Sequence, residues 1–359
     1  MKVLVMGGTQ CNGRALVWEL DRNGHDVTVC NRGKTPAQLP RRVRRLVADR
    51  TVAEQVRSVL AKEEFDCVYD ISAYQPHDVE LMVDILRGRV GHYVFASSTV
   101  IYAAGNLLPI TENHPVDRTE RQTAYGMNKL LCEDILLREH RSNGFPASIV
   151  CFSMVFGPHN IIPDREQRMF MRLLKARPVL IPGDGTTVGQ VGHVFDQARA
   201  LRMMMQKPET FGRRYNLTGA DAFTDEGYVD TFGRVLGLEP RKVFVPAQVM
   251  DDLYAGRIRL GEAAGGDSGS RAAGGDARMQ TYMQLQKIVL RVAPNLHHWN
   301  RSVFFSIERL RKDIGWEPEY TFPGAVEQTW GWMQAEGLTE RLAFDFDVED
   351  RLLERIGGL

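Results

Sequence analysis

Across residues 1–150, short apolar runs alternate with segments whose apolar positions recur at helical spacing. Lys2–Met6, Asp26–Cys30, Val43–Ala48, Cys67–Ile71, His92–Ala96 and Ala147–Phe152 read as strands. Arg14–Asn23, Val52–Lys62, Val79–Leu86 and Ala124–His140 read as helices. Strands this short, separated by helices, predict βαβ crossovers and a parallel sheet. Right-handed crossovers then make the sheet doubly wound. Beyond residue 155 the pattern is mixed. Helices are expected at Arg165–Ala176, Phe195–Gln206, Asp225–Leu236 and Ser306–Ile314, with short strands at Val179–Ile181, Arg214–Leu217 and Lys242–Val245. Gly261–Arg278 is rich in Gly, Ala, Ser and Asp and reads as a flexible surface insertion. The fold class expected is α/β: a Rossmann-type doubly wound parallel sheet with a smaller mixed α/β C-terminal domain.

Composition narrows the class. The 359 residues are 43% hydrophobic and 25% charged, enough for a sizeable core and for two domains. Lys+Arg and Asp+Glu are both 45, so the net charge is +0 and a general polyanion binder is disfavoured. A local basic run, Arg41-Arg42-Val43-Arg44-Arg45, keeps nucleic acid open as a partner. The five cysteines (Cys11, Cys30, Cys67, Cys132, Cys151) are odd in number and form no CxxC pair. Neither a disulfide framework nor a metal site is expected, which fits a reducing compartment. No apolar run reaches the roughly 18 residues that would span a bilayer. The N-terminus is too short for a signal-peptide core. The expected setting is the cytoplasm, without membrane attachment.

The first strand runs into Gly7-Gly8-Thr9-Gln10-Cys11-Asn12-Gly13 and then a helix. Such a context makes a glycine motif meaningful. Gly7 lets the chain turn sharply, Gly13 lets the helix approach closely, and backbone N–H groups at the helix start face a pyrophosphate. Gly7, Thr9, Gln10, Cys11, Asn12 and Gly13 are therefore candidate dinucleotide contacts. The second strand ends at Asn31-Arg32-Gly33-Lys34, where an Asp or Glu would bind the adenosine ribose of NAD. With Asn31 there, and Arg32 and Lys34 beside it, a 2′-phosphate fits better. NADP is thus favoured over NAD. Asp49 and Asp70 end the third and fourth strands and read either as adenosine contacts or as loop carboxylates.

A second constellation carries chemistry. The fifth strand ends in Ser97-Ser98, and Tyr125-Gly126-Met127-Asn128-Lys129 lies within the long helix. Residues four apart share a helical face. An ammonium beside a phenol favours phenolate and lowers its pKa from about 10. Tyr125 can then move a hydroxyl proton, Lys129 can hold a nicotinamide ribose, and Ser98 can orient the reacting oxygen.

With these motifs in place the sequence resembles an extended short-chain dehydrogenase/reductase of the NAD(P)-dependent epimerase/dehydratase family. The likeness runs through SSTVIY, YGMNK with Glu133 beyond it, VFGP (Val155–Pro158), IPGDG (Ile181–Gly185), GHVFDQA (Gly192–Ala198), YNLTG (Tyr215–Gly219) and IGWEP (Ile314–Pro318). It implies a dinucleotide-binding domain at 1–155 that also receives part of 190–220. The rest, 156–359, would be mainly a substrate domain with the 261–278 insertion. It also implies further cofactor contacts at Ser72 and Ala96, substrate contacts at Tyr74, Thr99, Met154 and Arg301, a nucleotide-sugar substrate, and a homodimer.

The sequence further resembles an atypical branch that includes the chloroplast stem-loop-binding proteins. MGGT, NRGKTP, TVGQVGHVFDQA, SVFFSIERLRKDIGWEPEY and the tail FDFDVEDRLL (Phe344–Leu353) carry this likeness. That branch implies RNA binding as an alternative, yet its plastid members commonly lack the catalytic Tyr. Gln10 replaces the middle glycine of the family turn, and Met154 stands where Asn often meets a sugar diphosphate; these departures leave a catalytically silent, cofactor-bound sensor as a further alternative. Arg165, Arg168, Arg172 and Arg301 are other candidates for a phosphate-bearing ligand, or are solvated. Thr99-Val100 replaces the Asp-Glu pair of sugar 4,6-dehydratases, which ranks epimerisation or keto reduction above dehydration. Cys151 and His193 read as buried structural groups or as unusual acid/base groups.

Overall fold

The computed structural model describes residues 1–160, 165–260, 277–289 and 298–357. In chain order the elements are β1 (Lys2–Met6), α1 (Cys11–Arg22), β2 (Asp26–Asn31), β3 (Arg44–Val47), α2 (Ala53–Leu60), β4 (Cys67–Asp70), α3 (Pro76–Leu86), β5 (Tyr93–Ser98), α4 (Ala124–Asn143) and β6 (Ala147–Phe152). These are followed by β7 (Met154–Phe156), α5 (Glu166–Leu174), β8 (Val179–Pro182), β9 (Val188–His193), α6 (Val194–Met204), β10 (Arg214–Leu217), β11 (Ala222–Thr224) and α7 (Asp225–Leu236). The chain continues with β12 (Lys242–Val245), α8 (Ala247–Tyr254), α9 (Ala277–Ile288), α10 (Glu308–Ile314), α11 (Phe322–Ala335), α12 (Leu338–Arg341) and α13 (Asp347–Ile356).

Two compact units emerge. The first comprises Met1–Ile161, Gly192–Ala220 and Phe305–Tyr320; the second comprises Ile162–Val191, Asp221–Phe304 and Thr321–Leu359. In the first, seven parallel strands lie in the order β10-β6-β5-β4-β1-β2-β3. The direction of winding reverses between β1 and β4, and ligands of such sheets bind at the crevice beyond the strand ends there. Val3, Val5, Val27, Val29, Tyr69 and Val94 on the strands pack with Leu16 and Leu20 of α1 and Leu201 of α6. Strands buried on both faces explain why these runs are apolar without alternation. The Tyr69 hydroxyl donates to the Leu201 carbonyl at 2.8 Å, satisfying a buried polar group between β4 and α6.

The second unit holds an antiparallel β11–β9 pair, a parallel β12–β8 pair and a core of its own around Leu180, Val245, Met250, Leu253, Leu285, Trp299, Leu352 and Leu353. Local signals place several ends. Gln75 and Asp78 form a capping box at α3, which extends that helix upstream of the expected Val79. Thr123 accepts from the Gly126 N–H to start α4, and Gly144, with φ 67°, ends it. Of the insertion expected at 261–278, residues 261–276 lie outside the described residues, while Ala277 and Arg278 begin α9. Among the described residues no helix is long and apolar enough to cross a membrane.

Candidate functional site

The ends of β1, β2, β4 and β5 carry most of the residues singled out by motif. After β1, Gly7 and Gly8 take φ values of 107° and 83°, which only glycine adopts freely. Gly13 shows why the helix needs a glycine too. A Cβ there would stand 2.8 Å from the Gly8 nitrogen and 3.0 Å from its Cα, so α1 sits directly on the turn. Replacing Gly13 by Ala is expected to cost about 1–3 kcal/mol through overpacking. It should weaken dinucleotide binding in parallel, read by thermal melts and cofactor titration. Gln10, in place of the family glycine, is extended and exposed, and Cys11 begins α1 with φ 41°. A non-glycine residue in that region is strained, and such strain gathers at functional sites. Thr9 is half-buried in the turn.

Several side chains expected to meet the dinucleotide are committed within the protein instead. Asn12 Nδ2 donates to Gln197 Oε1 at 2.6 Å, tying α1 to α6. Asn31 Nδ2 donates to the Gly7 carbonyl at 3.0 Å, and Asn31 Oδ1 accepts from the Gly33 N–H at 2.9 Å. Asn31 therefore braces the glycine turn and shapes the next one. Asp49 accepts from the Thr51 N–H and hydroxyl, which hold its carboxyl below the usual range as a loop carboxylate.

Asp70 is held in a buried network. Its side chain is fully buried and both oxygens accept from Arg50, at 2.7 and 2.9 Å; the Tyr93 hydroxyl donates a third bond at 2.6 Å. Burial pushes this carboxyl up, but the Arg50 pair and the Tyr93 bond bring it below its ordinary value. Arg50 also donates to Ser72 Oγ at 2.9 Å and pairs with Asp78 at 3.2 Å. Sequence reasoning missed Arg50. The one available signal was a cation directly after Asp49 at a strand end, and nothing in spacing says that it folds inward. Ser72 is thus part of the same network, and its Cβ lies 3.5 Å from where a side chain on Gly7 would begin.

Arg32 and Lys34 are exposed at the rim beyond β2. Of the basic run nearby, Arg42 pairs with Asp21, Arg44 forms a two-pronged pair with Glu63 at 2.9 and 2.7 Å, and Arg45 donates to the Ala37 carbonyl. Much of its charge is therefore answered locally.

On the other side of the winding reversal, β5 and α4 bring the expected triad region together. Lys129 Nζ donates to the carbonyls of Ala73 at 2.7 Å and Ala96 at 2.6 Å. Burial lowers its pKa to about 8, against the raising effect of Asp70. Its ammonium lies 5.6 Å from the Tyr125 ring centre and 5.0 Å from that of Tyr74, whose own ring is 6.2 Å from Tyr125. Tyr125 is 41% exposed and Tyr74 51%, so both phenols are open to a ligand while Lys129 stays beneath them. Ser98 ends β5, half-buried, with its hydroxyl accepting from the Val100 N–H at 3.4 Å.

Behind them lies a buried ion pair. Glu133 accepts from Ser97 Oγ at 2.5 Å and from Arg214 Nε at 2.8 Å, tying α4 to β5 and β10. The remaining expectations divide. Thr99 is 7% exposed, too covered to be an open substrate contact, whereas Met154 in β7 is half-buried. Arg301 belongs to the second unit. Arg168 and Arg172 are buried in that unit and paired with Glu349, so they are neither solvated nor open. Cys151 is fully buried, its thiol pushed up by burial, and His193 is buried with its ring stacked on Tyr320 at 3.9 Å.

Residues 3–218 match the model of the NAD dependent epimerase/dehydratase family. The chain belongs to that family. The turn, the strand ends and the β5–α4 residues described above all fall inside the matched span. The family's nicotinamide dinucleotide fits the structure at the Gly7–Gly13 cradle, where a single added carbon would clash with backbone. Among similar proteins, the chloroplast stem-loop binding protein of 41 kDa b of Arabidopsis thaliana is 26% identical, over 99% of this chain and 84% of its own. A UDP-glucose 4-epimerase of Corynebacterium glutamicum is 25% identical, over 73% of this chain and 90% of its own. A 2′-dehydrokanamycin reductase of Streptomyces kanamyceticus is 23% identical, over 69% and 70%.

Solved structures share the fold. A dTDP-glucose 4,6-dehydratase of Bacillus anthracis in complex with NAD has a TM-score of 0.70 at 16% identity, covering 94% of this chain and 98% of its own. A UDP-glucose 4-epimerase of Thermotoga maritima with UDP-glucose has a TM-score of 0.69 at 16% identity, covering 94% and 99%.

Proposed function

We propose that this family member is an NADP- or NAD-dependent epimerase or reductase acting on a hydroxyl or keto carbon of a nucleotide sugar. The observation that carries the reading is the Lys129 ammonium, held by two carbonyls beneath an exposed Tyr125 at the end of a sheet whose first turn is a glycine cradle. The dinucleotide accepts or returns a hydride when bound. Tyr125 takes the hydroxyl proton as the carbon is oxidised and gives it back on reduction. Lys129 stabilises the phenolate by charge and holds the cofactor ribose. Ser98 orients the substrate oxygen from the end of β5. Tyr74 and Met154 are candidate substrate contacts within the first unit.

Exposed Arg32 and Lys34, with no carboxylate at Asn31, favour the 2′-phosphate of NADP. Replacing both cations by Ala should lower NADP affinity about tenfold or more while leaving NAD affinity within a few-fold. An equal loss for the two cofactors would assign these cations to the solvent. The activity itself is tested by incubating the purified protein with a panel of UDP- and dTDP-sugars and the released cofactor. The expected product is the 4-epimer or a reduced sugar, and no turnover on any member would remove the reading.

The name of the Arabidopsis relative suggests a second possibility, binding to RNA stem-loops. Pairing of Arg42 with Asp21 and Arg44 with Glu63 weakens the patch that would support it. An exposed phenol over a buried ammonium has no use in that reading.

A further inference from the structure

The acidic-aromatic tail FDFDVED, which the proposed chemistry does not use, closes over the arginine face of α5 within the second unit. Arg168 Nε and Nη2 donate to the two oxygens of Glu349 at 2.7 and 2.8 Å, and Arg168 also donates to the Asp345 carbonyl. Phe346 lies under the cations of Arg168 at 4.6 Å, Arg177 at 4.9 Å and Arg172 at 5.3 Å. One turn along α5, Arg172 donates its Nε to the Pro178 carbonyl, and its Nη1 stands 3.2 Å from Glu349 Oε1. Arg172 is 4% exposed, yet both of its terminal nitrogens are buried without a hydrogen-bond partner.

The charges do not balance. A single carboxylate, Glu349, lies between two guanidinium groups that are almost completely removed from water. Lys287 of α9 adds a third cation to the same wall. Farther out, Arg177 pairs with Asp350, which also acts on Arg172, and Asp345 acts on Lys287 and Arg168, so four cations face three carboxylates. A guanidinium whose charge is only partly answered and whose terminal nitrogens make no hydrogen bond is costly in such a place, since removing a charge from water takes several kcal/mol unless it is fully paired. Beside it is a small cavity lined by Arg168, Met169, Arg172, Val179, Leu180, Lys287 and Glu349. It has room for a particle the size of a water molecule and not for a phosphate or a sulfate.

We infer that this cavity is a halide site, holding a chloride ion between the free edge of Arg172 and Lys287. Chloride matches the water-sized space and accepts several N–H donors without needing a directed lone pair. It is also weakly hydrated enough to lie against Met169, Val179 and Leu180. A water could accept from two donors but would leave the excess charge; chloride answers both. Bound there, it ties α5, α9 and the α13 tail together, so its occupancy stabilises the second unit. This site is independent of the proposed redox chemistry.

Thermal melts of the full chain at one ionic strength, in sodium chloride, bromide, fluoride and gluconate, test it. Chloride and bromide are expected to raise Tm by a few degrees over the strongly hydrated fluoride and the bulky gluconate, and the shift should saturate with concentration. Arg172→Met should abolish that halide-specific shift. If that variant does not fold, Lys287→Gln serves instead and should shrink the shift several-fold. Crystals grown in bromide should show an anomalous peak in contact with Arg172. Equal Tm values in all four salts, a shift unchanged in Lys287→Gln, or density without bromide signal would each overturn the proposal.

Discussion

Tyr125→Phe is expected to lower kcat on any nucleotide sugar the protein turns over by about 10²–10⁴-fold, the range for removing a positioned acid–base group. The substitution deletes only the hydroxyl of a 41% exposed ring, so the fold and cofactor binding should stay intact. KM should change by no more than a few-fold. Lys129→Met should behave differently. Its ammonium bridges the Ala73 and Ala96 carbonyls, so its loss removes a buried donor from both and should reduce stability and cofactor affinity as well as kcat. Steady-state kinetics, melts and cofactor titrations on both variants separate these outcomes. Wild-type turnover by Tyr125→Phe would show that the proton travels by another group.

Arg50→Met is the second large effect, this time on stability. It leaves Asp70 fully buried without its cation, held only by the Tyr93 hydroxyl and the Ser72 N–H, and breaking a buried pair from one side costs about 3–5 kcal/mol. The sign of the pH dependence follows. In the wild type Arg50 helps hold the Asp70 pKa below its ordinary value, so the pair stabilises the fold above the unfolded carboxyl's pKa, and this is lost as pH falls through the folded value. In the variant burial is opposed only by the Tyr93 bond and the Lys129 charge, and is expected to raise that pKa. Folding then favours the protonated acid, and the variant regains stability as pH drops toward the ordinary carboxyl range. The gap between the two proteins should therefore be widest near neutrality and narrow at about pH 5, as measured by urea unfolding at both pH values. Adding Asp70→Asn to Arg50→Met should recover much of the loss at pH 7, because it removes the stranded charge. A double variant no better than the single would mean that the cost is lost packing of the arginine stem.

These two residues mark the limits of what the sequence discloses. Tyr125, Lys129 and Ser98 were legible because local rules govern them. A spacing of four puts two side chains on one helical face, and a strand end puts its last residues at the edge of a parallel sheet. The glycine turn was legible for a similar reason, since positive φ and close approach select glycine at Gly7 and Gly13. Asn31, Asp70 and Asn12 also sit at positions that a motif assigns to the ligand. Whether a polar side chain there faces outward depends on a partner far away in the chain. Asn31 reaches Gly7, Asp70 is claimed by Arg50, and Asn12 is claimed by Gln197.

The amino-acid sequence alone determined the strand–helix alternation, the parallel sheet, the cradle and the Tyr-Lys face. Each follows from periodicity or backbone sterics acting over a few residues. Tertiary structure alone decided which charges are answered and which are not. The 45 cations and 45 anions cancel on paper. In the folded chain Arg44 meets Glu63 and Arg50 meets Asp70, while Arg172 is enclosed with its terminal nitrogens unbonded. Coulomb and desolvation energies depend on distance and burial in three dimensions, and neither quantity is written in the order of residues.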